Sequence, residues 1–146
     1  MSIRQDIVDA IKTRLADISI ANGDSFDMTA ARVTEWRDTP IQEDVDTHGI
    51  DIRDFQANRT SQDEDEQQWQ LILELEFFEI GDASPALVRQ RVQDITTALS
   101  NLDEEDFVQG AYLEDVEIDV ARLKKRRISA VLITLIVHYY AEEWEI

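Results

Sequence analysis

The chain has 146 residues, 43% of them hydrophobic, with 32 Asp and Glu against 14 Lys and Arg and a formal net charge of −18. That is the length of one domain with enough apolar residues for a core, so a single folded unit over residues 1–146 is expected rather than global disorder. The charge argues against a protein that grips nucleic acid by its phosphates or docks on an anionic membrane, and the lack of cysteine excludes disulfides, thiolate metal sites and cysteine nucleophiles.

The opening Met1-Ser2-Ile3-Arg4-Gln5-Asp6 has no apolar core of a signal peptide, and no secretory signal is expected. Ile3, Ile7, Ala10, Ile11, Leu15 and Ile18 recur at helical spacing, which predicts an amphipathic helix over 3–18. Ser2 and Gln5 have the spacing of a capping box, and Asn22-Gly23 supplies a stop. Residues 32–38 read as a strand ended by Thr39-Pro40, because Pro40 has no donor to continue a ladder. Ile50 and Ile52 mark a short second strand. Residues 55–68, with Asp63, Glu64, Asp65 and Glu66 in a row, read as a mobile acidic loop, since such a run of like charge cannot be buried.

The clearest strand follows. Trp69, Leu71, Leu73, Leu75 and Phe77 fall on one face, with Gln70, Glu74 and Glu76 on the other, interrupted by Ile72 and Phe78. Ser84-Pro85 then starts a helix, with Ser84 as N-cap and Pro85 in the first turn; Val88, Val92, Ile95 and Leu99 are its buried face, and Asn101 with the acids 103–106 ends it. Residues 112–120 alternate again, with Tyr112, Glu114, Val116 and Ile118 on one face. The bases Arg122, Lys124, Lys125, Arg126 and Arg127 form a turn before a last strand over 128–140. That strand is apolar on both sides: Val131, Ile133, Leu135, Val137 and Tyr139 on one, Leu132, Ile136 and Tyr140 on the other. Such a strand lies between two covering layers or against another subunit. Its 13 residues fall short of the ~20 needed to span a bilayer. The sum is an α+β fold, a mainly antiparallel sheet of about five strands with two helices packed on one face.

The residues offer little chemistry. His48 reads as part of a polar turn and His138 as a structural strand histidine. The four glycines stand singly, without a phosphate loop, and no Ser-His-Asp or His-Glu-x-x-His pattern is present. Asp44-Val45-Asp46-Thr47-His48-Gly49 opens somewhat like a calcium loop, but Phe55 stands where the closing bidentate Glu belongs. No enzyme, cofactor or metal is expected. The basic cluster has three readings: a charged turn that discourages edge aggregation, an isolated nucleic-acid patch, or a latch that meets an acidic patch on a neighbouring subunit.

In order and spacing, the chain resembles tail-terminator (tail-completion) proteins of long-tailed bacteriophages. The resemblance is carried by the opening helix through Lys12, Leu15 and Ala21-Asn22-Gly23, by Val33-Thr34-Glu35-Trp36-Arg37-Asp38-Thr39-Pro40, by Ile50-Asp51-Ile52-Arg53-Asp54, and by the long strand, helix, strand, strand ending. It implies a virion protein, assembled in the bacterial cytoplasm, that forms a hexameric ring on the last ring of the tail tube, stops its growth and offers the surface for head joining. The implied partners are further copies of itself, the tail-tube protein and head–tail connector proteins, with DNA passing through unbound and no membrane involved. A connector or head-completion adaptor is the nearest alternative, and an acidic DNA-mimic binding protein a more distant one. On this reading Trp36, Arg37, Lys124, Lys125, Arg126, Arg127, Tyr140 and Trp144 are candidate subunit contacts. Asp63, Glu64, Asp65, Glu66, Glu74 and Glu76 are candidate lumen-facing acids, since an acidic bore lets DNA slide without sticking.

Overall fold

A computed structural model describes residues 2–41, 47–62, 66–81, 84–123 and 126–142, without the side chains of Gln62, Leu123 and Arg126. Helix α1 (Ile3–Ala16) is capped by Ser2, whose side chain accepts from the Gln5 amide. The reciprocal half of the expected capping box is not made: Gln5 Nε2 donates to Asp9 Oδ1 instead, one turn along the helix. The segment that follows, which adds Ile18, Phe26 and Met28 to the core, leads to β1 (Val33–Glu35), β2 (His48–Gln62) and β3 (Gln67–Ile80). Helix α2 (Pro85–Leu99), capped by Ser84, leads to β4 (Gly110–Leu123) and β5 (Arg126–Ala141).

The five strands form one sheet in the order β1-β2-β3-β5-β4. Every pairing is antiparallel except β1 with β2. Since β5 is antiparallel to both β3 and β4, α2 carries the chain between two parallel strands across the one that separates them. The fold is α+β, as its sequence of elements predicts.

Side-chain period two decides which face is buried. Leu71, Leu73, Leu75 and Phe77 of β3 and Val131, Ile133, Val137 and Tyr139 of β5 are fully buried. They form one cluster with Ile7, Ile11 and Leu15 of α1 and Val88, Ile95 and Leu99 of α2. Both helices therefore cover the same face of the sheet. Each of the aliphatic and phenylalanine side chains contributes about 1.5–3 kcal/mol by leaving water.

Three expectations need correction. The strand expected over 32–38 is only Val33–Glu35, because Trp36 adopts φ 47°, which turns the chain out of the sheet. Residues 55–62 and 67–68 are not a loop: they extend β2 and β3 into a long hairpin, paired from His48↔Glu79 to Gln62↔Gln67. Backbone hydrogen bonds hold this hairpin together, and they do not need apolar side chains. The third correction concerns β4. Leu113 pairs with Leu135 and Asp115 with Thr134, so Glu114 is an extra residue at a bulge. Tyr112 therefore faces opposite to Val116 and Ile118 instead of sharing their side.

Candidate interaction surface

In an antiparallel pair, directly opposed residues share a face. Leu113, Val116 and Ile118 oppose Leu135, Ile133 and Val131, and Val120 opposes Ser129. All four thus point to the side of the sheet that carries the helices. Yet they are 39%, 39%, 48% and 42% exposed, and the helices pack chiefly over the strands inward of β4. Without the bulge at Glu114, Leu113 could not share a face with Val116. The result is an apolar strip along the outer strand, at the sheet edge where only one neighbour, β5, is hydrogen-bonded.

The other face of the sheet is acidic. Glu74 and Glu76 of β3 and Glu117 and Asp119 of β4 converge around Ala130 and Leu132 in a shallow hollow of about 290 Å³. The register aligns Glu76, Leu132 and Glu117 in one row and Glu74, Thr134 and Asp115 in the next. Nothing polar on β5 separates these carboxylates except Thr134, and no ion pair is made to Asp115, Glu117 or Asp119 among the described residues. The second apolar side of β5 lies on this face without a helix over it. Ile136 is buried there between Ile72 and Tyr112, its partners across the sheet, while Tyr140 remains 39% exposed. His138 stacks on Tyr112 at 5.9 Å, a packing role.

At the opposite edge, β1 covers β2 only along Ile50–Ile52, so β2 runs on as an edge strand. A bulge between Arg53 and Gln56 interrupts its pairing with β3, and Phe55 at that bulge is 45% exposed. Asp54 beside it accepts from Arg4 Nε of α1 and from Trp36 Nε1 at 2.9 Å, which fixes a tryptophan that is 53% exposed. Asp51, by contrast, is buried and points to the acidic face, where it accepts from Thr34 Oγ1, the Arg37 amide and Arg53 Nε. The Arg37 guanidinium lies over the Phe78 ring at 5.7 Å. In the ion pairs Arg4–Asp54 and Arg53–Asp51 the carboxylate is the more buried partner: side-chain exposure is 17% for Asp54 against 30% for Arg4, and 10% for Asp51 against 38% for Arg53. The edge thus exposes the Trp36 and Phe55 rings beside the half-buried Arg4, Arg37 and Arg53, with Glu35 and Asp38 also exposed.

The sequence candidates distribute accordingly. Trp36 and Arg37 stand together at the β1 edge; Tyr140 lies far from them, at the end of β5 on the acidic face. Glu74 and Glu76 share the acidic face, and Glu66 is exposed just before β3. Of the basic cluster, Arg122 and Arg127 oppose each other across the β4–β5 hairpin, on the helix side and thus away from the acids. Lys124, Lys125 and Trp144, like Asp63, Glu64 and Asp65, lie outside the described residues, as does the side chain of Arg126. Sequence reading missed the apolar strip on β4 as a unit, because the bulge that assembles it leaves no mark in the residue pattern. It also missed Phe55, placed in a supposed loop.

His48 is more constrained than a polar turn would make it. It begins β2, packs edge-on against Phe26, and bonds the Asp27 carbonyl through Nε2 and the Thr47 hydroxyl through Nδ1. Burial pushes the imidazole below its ordinary 6.5, partly offset by the bond to Asp27. Nearby, Arg91 joins Glu79 at 3.0 Å, donates to the Ser25 carbonyl and lies over Phe26, tying α2 to the segment after α1. These groups hold elements together. Among the described residues no group of three or more His, Asp and Glu side chains is placed to hold a metal ion, and no helix is long and apolar enough to cross a membrane. No protein-family model matches the chain, and comparison with curated proteins finds no match either.

Proposed function

We propose that this chain is a structural subunit that assembles into a closed ring, and specifically a tail terminator of a long-tailed bacteriophage. The observation that carries the reading is the uncovered apolar strip Leu113, Val116, Ile118 and Val120 on a 14-residue edge strand. A folded monomer ordinarily blunts or covers such an edge, because a long exposed one invites association. A strand left bare on its core side is what a subunit needs when a neighbour completes its core.

The order of elements and the residue stretches named above supply the more specific identity. The ring caps the last ring of the tail tube, ends its growth and presents the joining surface for the head. Glu74, Glu76, Glu117 and Asp119 suit the bore, where carboxylates repel passing phosphate. Arg122 and Arg127 on the opposite face suit contacts between subunits or layers. The work is done by binding alone, in the virion, with tail-tube and connector proteins as partners.

Light scattering on the chain alone and with the tail-tube protein of the same phage tests this. The reading expects a discrete hexameric mass bound to the tube protein. A monomer under both conditions contradicts it.

A further inference from the structure

We infer that the contact between copies is heterologous: the β4 strip of one copy packs against the Trp36–Phe55 edge of the next. This deepens the proposed ring and rests on that reading for its closure, though the contact itself is argued from the two edges alone.

Consider first the alternative, in which two β4 strands meet about a two-fold axis. From Gly110 to Ala121 the strand holds Glu114, Asp115, Glu117 and Asp119 and no base. A symmetric contact would set these acids against their own copies, and like charges opposed across strands are unfavourable. The chain carries a better match at its other edge. The apolar strip meets two exposed rings: Trp36, whose indole bonds the same Asp54 that pairs with Arg4 of α1, and Phe55 next to that aspartate in the chain. On the acidic face, Asp115, Glu117 and Asp119 meet Arg53, whose guanidinium stands further out than the carboxylate it pairs with. Apolar faces apolar in one layer and acid faces base in the other, with both copies in the same orientation. Buried aromatic anchors and Arg are what interface centres select.

Strand polarity agrees. β2 is antiparallel to β3, β3 to β5 and β5 to β4, so β4 of one copy beside β2 of the next, with the copies alike in orientation, is again antiparallel. The bulges at both edges break up continuous backbone pairing and aim side chains outward. Side-chain packing therefore carries the contact. Two unlike patches at opposite ends of one sheet make a head-to-tail contact, which closes into a ring when the rotation permits.

The cysteine-free chain allows a direct test. Phe55→Cys and Ile118→Cys are made separately in the full chain; both positions are about half exposed, so the core is untouched. The two proteins are mixed and treated with a short bis-maleimide, with Gln90→Cys on the exposed side of α2 as the collision control. The mixed F55C–I118C dimer is expected to exceed either homodimer and the control by about tenfold or more, the scale of one interface anchor. Equal or faster linking of I118C to itself would establish the two-fold alternative and overturn the inference. Linking no greater than the control would overturn it as well. If the mixed dimer forms while the chain leaves tube growth unchanged, the contact stands and the terminator reading fails.

Discussion

Trp36 shows how a single residue can be costly to the fold and still be retained. Its φ of 47° is a left-handed conformation that costs a non-glycine residue roughly 1–2 kcal/mol, and half its surface stays in water. The Arg37 amide bonded to Asp51 and the Trp36 ring bonded to Asp54 hold it there. Trp36→Gly removes the strain and the ring together, so monomer stability by urea denaturation is expected to change by less than about 1 kcal/mol. Association between copies is expected to weaken at least about tenfold. A large loss of stability would make Trp36 a folding residue instead. His48 gives a pH prediction. Its folded pKa lies below the ordinary value, so the unfolded chain binds the proton first; the contribution is complete above about 6.5 and is lost as pH falls below it. Measured as the difference from His48→Gln, thermal stability of the wild type is expected to fall between about pH 7.5 and about 5.5. A difference independent of pH would contradict the burial.

Among the elements, β4 is the one whose geometry matters most and whose sequence conceals it. Deleting Glu114 removes only the bulged residue: Leu113↔Leu135 and Asp115↔Thr134 then become consecutive pairs. That deletion is expected to fold with a stability loss of no more than about 1 kcal/mol. Deleting Glu117 instead shifts the phase of Ile118 and Val120 and turns them onto the acidic face, which should abolish association while changing nothing in the core. A circular dichroism melt checks the first deletion, and a much larger loss would contradict the bulge at Glu114; light scattering reads the loss of association in the second. Helices and the central strand were legible because their signals are local: capping serines at Ser2 and Ser84, helical spacing in α1 and α2, alternation in β3. The long β2–β3 hairpin was not, because polar residues such as Gln56, Asn58 and Thr60 are held in it by pairing with distant partners. Side-chain hydropathy does not record that pairing. The three-residue β1 was overread for the converse reason, since Val33, Thr34 and Trp36 suit a strand that the backbone turn at Trp36 ends.

For the molecule as a whole, alternation and strand register together gather acids on one face of the sheet. Acids at 74, 76, 117 and 119 share one face, whereas Arg122 and Arg127 occupy the other. The net charge of −18 suggested an acidic surface from the start. The register was needed to gather part of it on one side of one layer. Trp36 and Arg37 are candidate contacts by the resemblance alone, and the structure places both beside β1 at the sheet edge. The apolar strip on β4 was not legible in the sequence, because the bulge at Glu114 assembles it. The measurement that bears most directly on the central claim is electron microscopy of tail-tube protein polymerising with increasing amounts of this chain. Tubes are expected to stop growing, to be shorter the more of the chain is added, and to carry a closed ring at one end. Tubes of unchanged length with no density at either end would contradict it.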